Sequence, residues 1–387
     1  MEITKEIKYI GVDDTDLDLF ESQYVVPNGI SYNSYVILDD KIAVMDTVDH
    51  RKKNEWWTNL ERELAGRTPD YLVVHHMEPD HAGNIAEFVG KYPDVKIVAT
   101  DKAIKMLPLF FEEVDFSDKT IAVKEGDTLS LGSHTLQFIM APMVHWPEVM
   151  VTYDQKDKVL FSADGFGKFG ALSVDEEWAC EARRYYFNIC GKYGTQVQNL
   201  LRKVSHLDVF MICPLHGPIL KDNLGYYIGL YNTWSNYEPE TEGVFIAYAS
   251  IHGGTAEAAL KLAEILREKG ANKVSVADLS RCDMAEAVED AFKMSDLVLA
   301  AASYDAGIFP PMNDFIHHLQ DKNFQNRRVA IVENGSWAPV AGKLMRAKME
   351  GLKDITFVDP LVTIRGRMKK SDIALLENMA DSILNKQ

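Results

Sequence analysis

Within six residues, His76-Met77-Glu78-Pro79-Asp80-His81, the chain carries two imidazoles and two carboxylates just beyond a short apolar run, Tyr71-Leu72-Val73-Val74. Carboxylates this close repel one another unless a cation or other partners compensate them. The cluster therefore demands a fold that brings further ligands to it from distant parts of the sequence. Three candidates stand in comparable places: His145 follows the apolar run 136–141, Asp164 the run 159–163 and His216 the run 209–213. Taken singly, each reads as a turn or capping residue. Together they stand at strand ends, where a layered α/β fold collects side chains into one pocket.

Ligand chemistry narrows the ion. Purely His or Cys surroundings favour zinc, whereas imidazoles mixed with several carboxylates suit paired iron or manganese. The candidates comprise four His, one Glu and two Asp. That is too many for one tetrahedral ion and suits two ions sharing a carboxylate.

At 387 residues, 47% of them hydrophobic, the chain exceeds what one core organises, and two domains are expected. No run approaches the roughly 18 apolar residues of a membrane span, and the start, Met1-Glu2-Ile3-Thr4-Lys5-Glu6, lacks the apolar region of a signal peptide. A cytoplasmic chain is the expectation. The formal net charge of -17 argues against nucleic acid as a partner. Cys180, Cys190, Cys213 and Cys282 form no Cys-x-x-Cys pair, so neither a fused rubredoxin nor an ordinary iron–sulfur site is expected.

The polar, acidic stretch 235–242 separates the last candidate ligand from a fresh apolar run, 244–248, placing domains at 1–240 and 241–387. Before it, short strands are expected at 35–38, 42–46, 71–74, 96–99, 135–140, 150–153 and 159–163, with helices at 52–65 and 85–91. After it, apolar runs at 244–248, 273–277, 297–301, 328–332 and 355–357 alternate with helical stretches, the pattern of a doubly wound parallel sheet.

Ligands of such sheets bind beyond the carboxyl ends of the strands. There the first strand is followed by Ser250, His252, Gly253, Gly254 and Thr255, whose hydroxyls and amides at a helix start can cradle a phosphate without a basic side chain. The segment resembles a flavodoxin phosphate loop. Two later strand ends, with Ser303, Tyr304, Asp305, Ala306 and Gly307 and with Asn334, Gly335, Ser336 and Trp337, offer aromatic faces and backbone amides to a planar ring. FMN is the expected ligand. NAD is not, because Gly253-Gly254 does not complete a Gly-x-Gly-x-x-Gly fingerprint.

The motif His-x-Glu-x-Asp-His with distant His, Asp and His resembles the flavodiiron proteins, also called A-type flavoproteins. That resemblance implies an N-terminal αββα sandwich like the metallo-β-lactamases, followed by a flavodoxin-like domain. It implies one iron held by His76, Glu78 and His145, a second by Asp80, His81 and His216, and Asp164 bridging them. Metallo-β-lactamase-type hydrolases usually carry His where this chain has Glu78, which weighs against the alternative of a zinc hydrolase with a flavodoxin-like accessory domain. The implied activity is reduction of O2 to water, of NO to N2O, or both, with electrons passed through FMN. A separate donor is implied, whether rubredoxin, a flavin reductase or a deazaflavin, as is a head-to-tail homodimer. The stretch 29–35 also looks like a family signature and is read as structural, and no role is assigned to Tyr185 or Tyr186.

Overall fold

The computed structural model describes residues 2–385 and divides the chain into two compact units, Met1–Asn232 and Thr233–Gln387. The division falls inside the helix Leu224–Ser235, so the polar stretch 235–242 belongs with the second unit and leads into its first strand, Thr241–Ala249.

The first unit is built on two sheets. One orders its strands Ile7–Tyr9, Tyr35–Leu38, Ile42–Met45, Tyr71–Val73, Lys96–Thr100 and Thr120–Val123, antiparallel over the first three and parallel thereafter. The other runs Thr128–Ser130, Thr135–Met140, Met150–Asp154, Val159–Phe161 and Met211–Cys213, with only its last pair parallel. Their facing side chains form one core in which Tyr35, Ile37, Met45 and Val73 of the first sheet meet Leu136, Phe138, Met150 and Phe161 of the second. The alternating burial of Thr135–Met140 shows why: Leu136 and Phe138 enter this core while Thr135 and Gln137 stay partly exposed. Helix Lys53–Leu64 buries Trp56, Leu60 and Leu64 at the four-residue spacing of one face of an amphipathic helix.

Several elements escaped the sequence reading, most of them because they are too short to show a period. They include the hairpin Leu19–Phe20 with Tyr24–Val25, the pair Val12–Asp14 with Ile30–Tyr32, and the helix Asp101–Phe110, whose pattern Pro108 obscures.

The second unit has a parallel sheet in the order Val274–Asp278, Thr241–Ala249, Met294–Tyr304, Arg327–Asn334 and Ile355–Ile364. In chain order this is 2-1-3-4-5, the flavodoxin arrangement, whose ligand crevice opens where the connections reverse direction, between the first and third strands. Helix Gly254–Glu268 seals one face with Ala258, Ala259, Leu262, Ala263 and Leu266. Among the described residues, no helix is long and apolar enough to cross a membrane.

Because Phe138 lies wholly inside the two-sheet core, Phe138→Ala is expected to destabilise the first unit by about 3–5 kcal/mol. Urea unfolding of the variant against the unsubstituted chain measures that loss.

Candidate functional site

The seven expected ligands converge. Strand Tyr71–Val73 delivers His76, and Glu78 occupies the N-cap position of the short helix Pro79–Ala82, which carries Asp80 and His81. Pro79 at the first helical position suits this turn, since its missing N–H would have no helical partner there. From the second sheet, His145 comes from the loop before Met150–Asp154, Asp164 follows Val159–Phe161, and His216 follows Met211–Cys213. Ala163, directly before Asp164, has φ +50°, a costly conformation for a residue with a Cβ that turns the chain into the pocket.

Two donor groups result, His76 with Glu78, His145 and Asp164, and Asp80 with His81 and His216. In the first, His76 Nε2 is 3.2 Å from Glu78 Oε2 and 3.3 Å from both His145 Nε2 and Asp164 Oδ2. His145 Nε2 is 3.1 Å from Glu78 Oε2 and 3.3 Å from Asp164 Oδ2. In the second, His81 Nε2 is 3.1 Å from His216 Nε2, 3.3 Å from Asp80 Oδ2 and 3.2 Å from Asp164 Oδ1. Asp164 thus turns one oxygen to each group.

These spacings fit metal ions. A tetrahedron of such edges has its centre about 2.0 Å from each corner, within the usual range of metal–nitrogen and metal–oxygen bonds. Both oxygens of Asp80 and of Asp164 are buried without a hydrogen-bond partner, a condition rare in folded proteins unless an ion completes it.

The electrostatics agree. Burial opposes protonation of His76, but the Asp164 carboxylate and the contacts with Glu148 and Glu78 outweigh it and hold the imidazole well above its usual range. His145 follows the same balance and rises to about 9. Asp80 is pushed up to about 7 by burial and by the Glu78 and Asp164 carboxylates, against the pull of His81 and His76. Bound cations would displace these protons and take over the compensation.

A supporting layer went unnoticed in the sequence. His75 accepts no role in the cluster but bridges Asp46 and Thr152, its Nε2 lying 2.8 Å from Thr152 Oγ1, while its backbone N–H donates to Asp46 Oδ1 at 2.7 Å. Glu148 contacts His76 Nδ1 at 2.7 Å. The stretch 29–35 is structural as expected, and it holds the His216 loop: Ser31 O accepts from His216 Nδ1 at 2.7 Å, and Asn33 Nδ2 donates to Pro214 O and Gly217 O, each at 2.8 Å. Aromatic rings close the pocket, with Phe20 and Tyr185 at 5.4 and 5.5 Å from the His216 ring and Trp146 at 5.1 Å from that of His76.

In the second unit, a cavity of about 600 Å³ opens beyond the strand ends, at the expected switch point. Ser250, His252, Gly254 and Thr255 line it from the first loop, and Ser303, Tyr304, Asp305 and Ala306 from the second. Asn334, Gly335, Ser336 and Trp337 line it from the third. Gly253 and Gly307 are not on the wall. Gly253, at φ +86°, makes the turn that starts the helix, and Gly307 pairs with Tyr304 across a two-residue turn. That turn, Asp305-Ala306, has both residues at positive φ, a strain concentrated where a ligand would sit.

Two expected side chains serve the wall itself. Ser303 Oγ accepts from Val340 N and Ala341 N at the start of the helix Ala341–Glu350, and Asn334 clasps both backbone groups of Gly366. The fourth strand-end loop, with Gly366 and Arg367, was missed because no aromatic or hydroxyl cluster marks it. Trp337 is 89% exposed and Tyr304 46%, open aromatic faces of the kind that mark a binding site. The amides at the helix start, with no basic side chain in the first loop, suit a phosphate, and the aromatic faces suit a planar ring.

Residues 30–217 match the family described as ODP family beta lactamase. The chain is 29% identical over 349 residues, 87% of its own length and 72% of the relative's, to the anaerobic nitric oxide reductase flavorubredoxin of Salmonella paratyphi B. It is also 29% identical over 325 residues to an uncharacterized protein of Methanocaldococcus jannaschii, covering 82% of this chain and 81% of the relative. Among solved structures, rubredoxin oxygen:oxidoreductase from Desulfovibrio gigas superimposes with a TM-score of 0.91 at 26% identity, covering 99% of this chain and 97% of the other. The chain is similar to these oxidoreductases over nearly its whole length. The flavodiiron protein from Giardia intestinalis shares the fold, with a TM-score of 0.90 at 22% identity over 99% and 96% of the two chains.

Two substitutions separate the two sites. Asp164→Ala removes the one side chain common to both donor groups, and is expected to abolish most metal uptake while flavin content stays unchanged; elemental analysis beside the flavin absorbance reads both. A Cβ on Gly254 would stand 2.2 Å from Gly366 O, so Gly254→Ala should lower flavin retention and leave the metal count intact.

Proposed function

We propose that the chain is an oxidoreductase reducing O2 to water, NO to N2O, or both, at two irons held by its first unit, with electrons relayed through FMN in its second. The observation that carries this reading is the divided Asp164 carboxylate, buried, without a hydrogen bond, and facing His76 and His145 with one oxygen and His81 and His216 with the other. His76, Glu78 and His145 would hold one iron, Asp80, His81 and His216 the other, and Asp164 both. The names of the relatives, a nitric oxide reductase and an oxygen oxidoreductase, support the same two substrates.

When bound, the irons and the reduced flavin would supply the four electrons needed to take O2 to water. The chain's own residues prepare that chemistry. Three carboxylates offset three of the four charges that two divalent cations would bring, which lowers the cost of holding both ions in a buried pocket. Phe20, Trp146 and Tyr185 form its apolar collar. The Tyr185 hydroxyl, held far above its ordinary range by burial and by the Asp164 carboxylate, keeps its proton and so stays available as a donor. In the second unit, the phosphate cradle and Trp337 and Tyr304 would seat the flavin.

A separate donor would reduce the flavin, and the copy number follows from the same reading: we infer a head-to-tail homodimer that sets one copy's flavin beside the other's irons. A cytoplasmic location accords with four cysteines present as thiols. A zinc hydrolase is not favoured, since Glu78 stands where hydrolases place His and a flavin cavity has no part in hydrolysis.

The test is oxygen and NO consumption by the iron- and flavin-loaded protein with a chemical reductant. Rapid oxygen uptake with no oxygen returned on adding catalase is expected, falling at least about 100-fold in Asp164→Ala. Oxygen returning after catalase, at the same rate in both proteins, would mean peroxide made by flavin alone and would end the di-iron reading.

A further inference from the structure

The imidazoles of the metal pocket are not anchored alike. His76 Nδ1 lies 2.7 Å from Glu148 Oε1, His216 Nδ1 lies 2.7 Å from the Ser31 carbonyl, and His81 Nδ1 has no partner. Glu148 lies outside the ligand motif, in the loop between His145 and the strand Met150–Asp154, and is 1% exposed. Its Oε1 also accepts the Met77 N–H at 2.9 Å. That oxygen is an acceptor, so the ring proton of His76 belongs on Nδ1 and the lone pair of Nε2 faces Glu78, His145 and Asp164.

His216 is held in the same tautomer, because a carbonyl can only accept. The two acceptors differ in charge. A carboxylate polarises the N–H bond more strongly than a neutral carbonyl, which raises the basicity of the opposite ring nitrogen. Among the described residues, no Lys or Arg pairs with Glu148, and its second oxygen has no hydrogen-bond partner. The buried charge is directed at His76.

We propose that Glu148 is a positioning residue that makes the His76 half of the pocket a stronger electron donor than the His216 half, so that the two metal positions bind iron unequally. The inference rests on the di-iron reading of the pocket. It adds an asymmetry that the near-matching sets of terminal ligands, two imidazoles and one carboxylate on each side, do not contain.

Anaerobic Fe(II) titration of the metal-depleted, flavin-loaded protein against a competing chelator gives two stepwise affinities. Glu148→Gln keeps the side chain's size and an oxygen for the Met77 N–H while removing the charge. It is expected to weaken one iron about 10–100-fold and leave the other within about threefold, with Glu148→Ala weakening the same iron further. In the zinc-loaded protein, the His76 Nδ1 proton should give a strongly downfield ¹H–¹⁵N resonance that moves upfield in Glu148→Gln, a change that a packing role alone would not produce.

Equal weakening of both irons, or unchanged affinities with an unmoved resonance, overturns the proposal. Should Glu148→Gln fail to fold, the unsubstituted zinc-loaded protein still decides, because a His76 proton found on Nε2 overturns it. Two irons bound by the unsubstituted protein with no effect of Glu148→Gln would sink this inference alone. Fewer than two would sink the di-iron reading with it.

Discussion

A buried carboxylate with no hydrogen bond is among the least tolerable groups a protein interior can hold, and Asp164, 1% exposed, is one. Its two oxygens face opposite pairs of imidazoles, so compensation must come from two sides at once. Both sheets of the first unit contribute to that arrangement. One sheet delivers His76, Glu78, Asp80 and His81 from a single strand end, and the other delivers His145, Asp164 and His216 from three. Asp80 has the same lack of hydrogen bonds, and burial beside the Glu78 and Asp164 carboxylates pushes its carboxyl up to about 7. Two bound cations would remove both problems together.

The second unit meets its ligand by different means. Its cradle relies on backbone amides, a helix start and a few residues at positive φ, among them Gly253, Asp305 and Ala306. Side-chain hydroxyl and amide groups that looked like ligand contacts, Ser303 and Asn334, are spent on holding the loops in place. The binding surface is then largely backbone and aromatic face, which is what a planar ring with a phosphate tail requires. Strain at the turn and exposure of Trp337 are costs that a bound flavin would repay.

Legibility differed between residues for physical reasons. The seven candidate ligands were readable because metal-binding side chains are conspicuous after apolar runs, and the parallel sheet because its runs alternate regularly with helices. Glu148 was not, because an acid in a loop has no pattern; only the fold brings its oxygen to His76 Nδ1. Asp46, His75 and Thr152 were hidden likewise, since the contacts that join them span 29 and 77 positions. Gly366 and Arg367 enter the cavity wall through the hydrogen bonds of Asn334, a link that no local signal carries.

The sequence by itself determined the candidate ligand types, the grouping of four of them in one six-residue run, the order of the two units and three of the loops that line the cavity, because each of these is local chemistry or local periodicity. Tertiary structure alone decided which donors come within reach of one another, that Asp164 divides its oxygens between two groups, and which histidine leans on a charged rather than a neutral acceptor. Those are distances between atoms separated by tens to hundreds of residues, and they exist only once two sheets have packed face to face and brought their strand ends to one place.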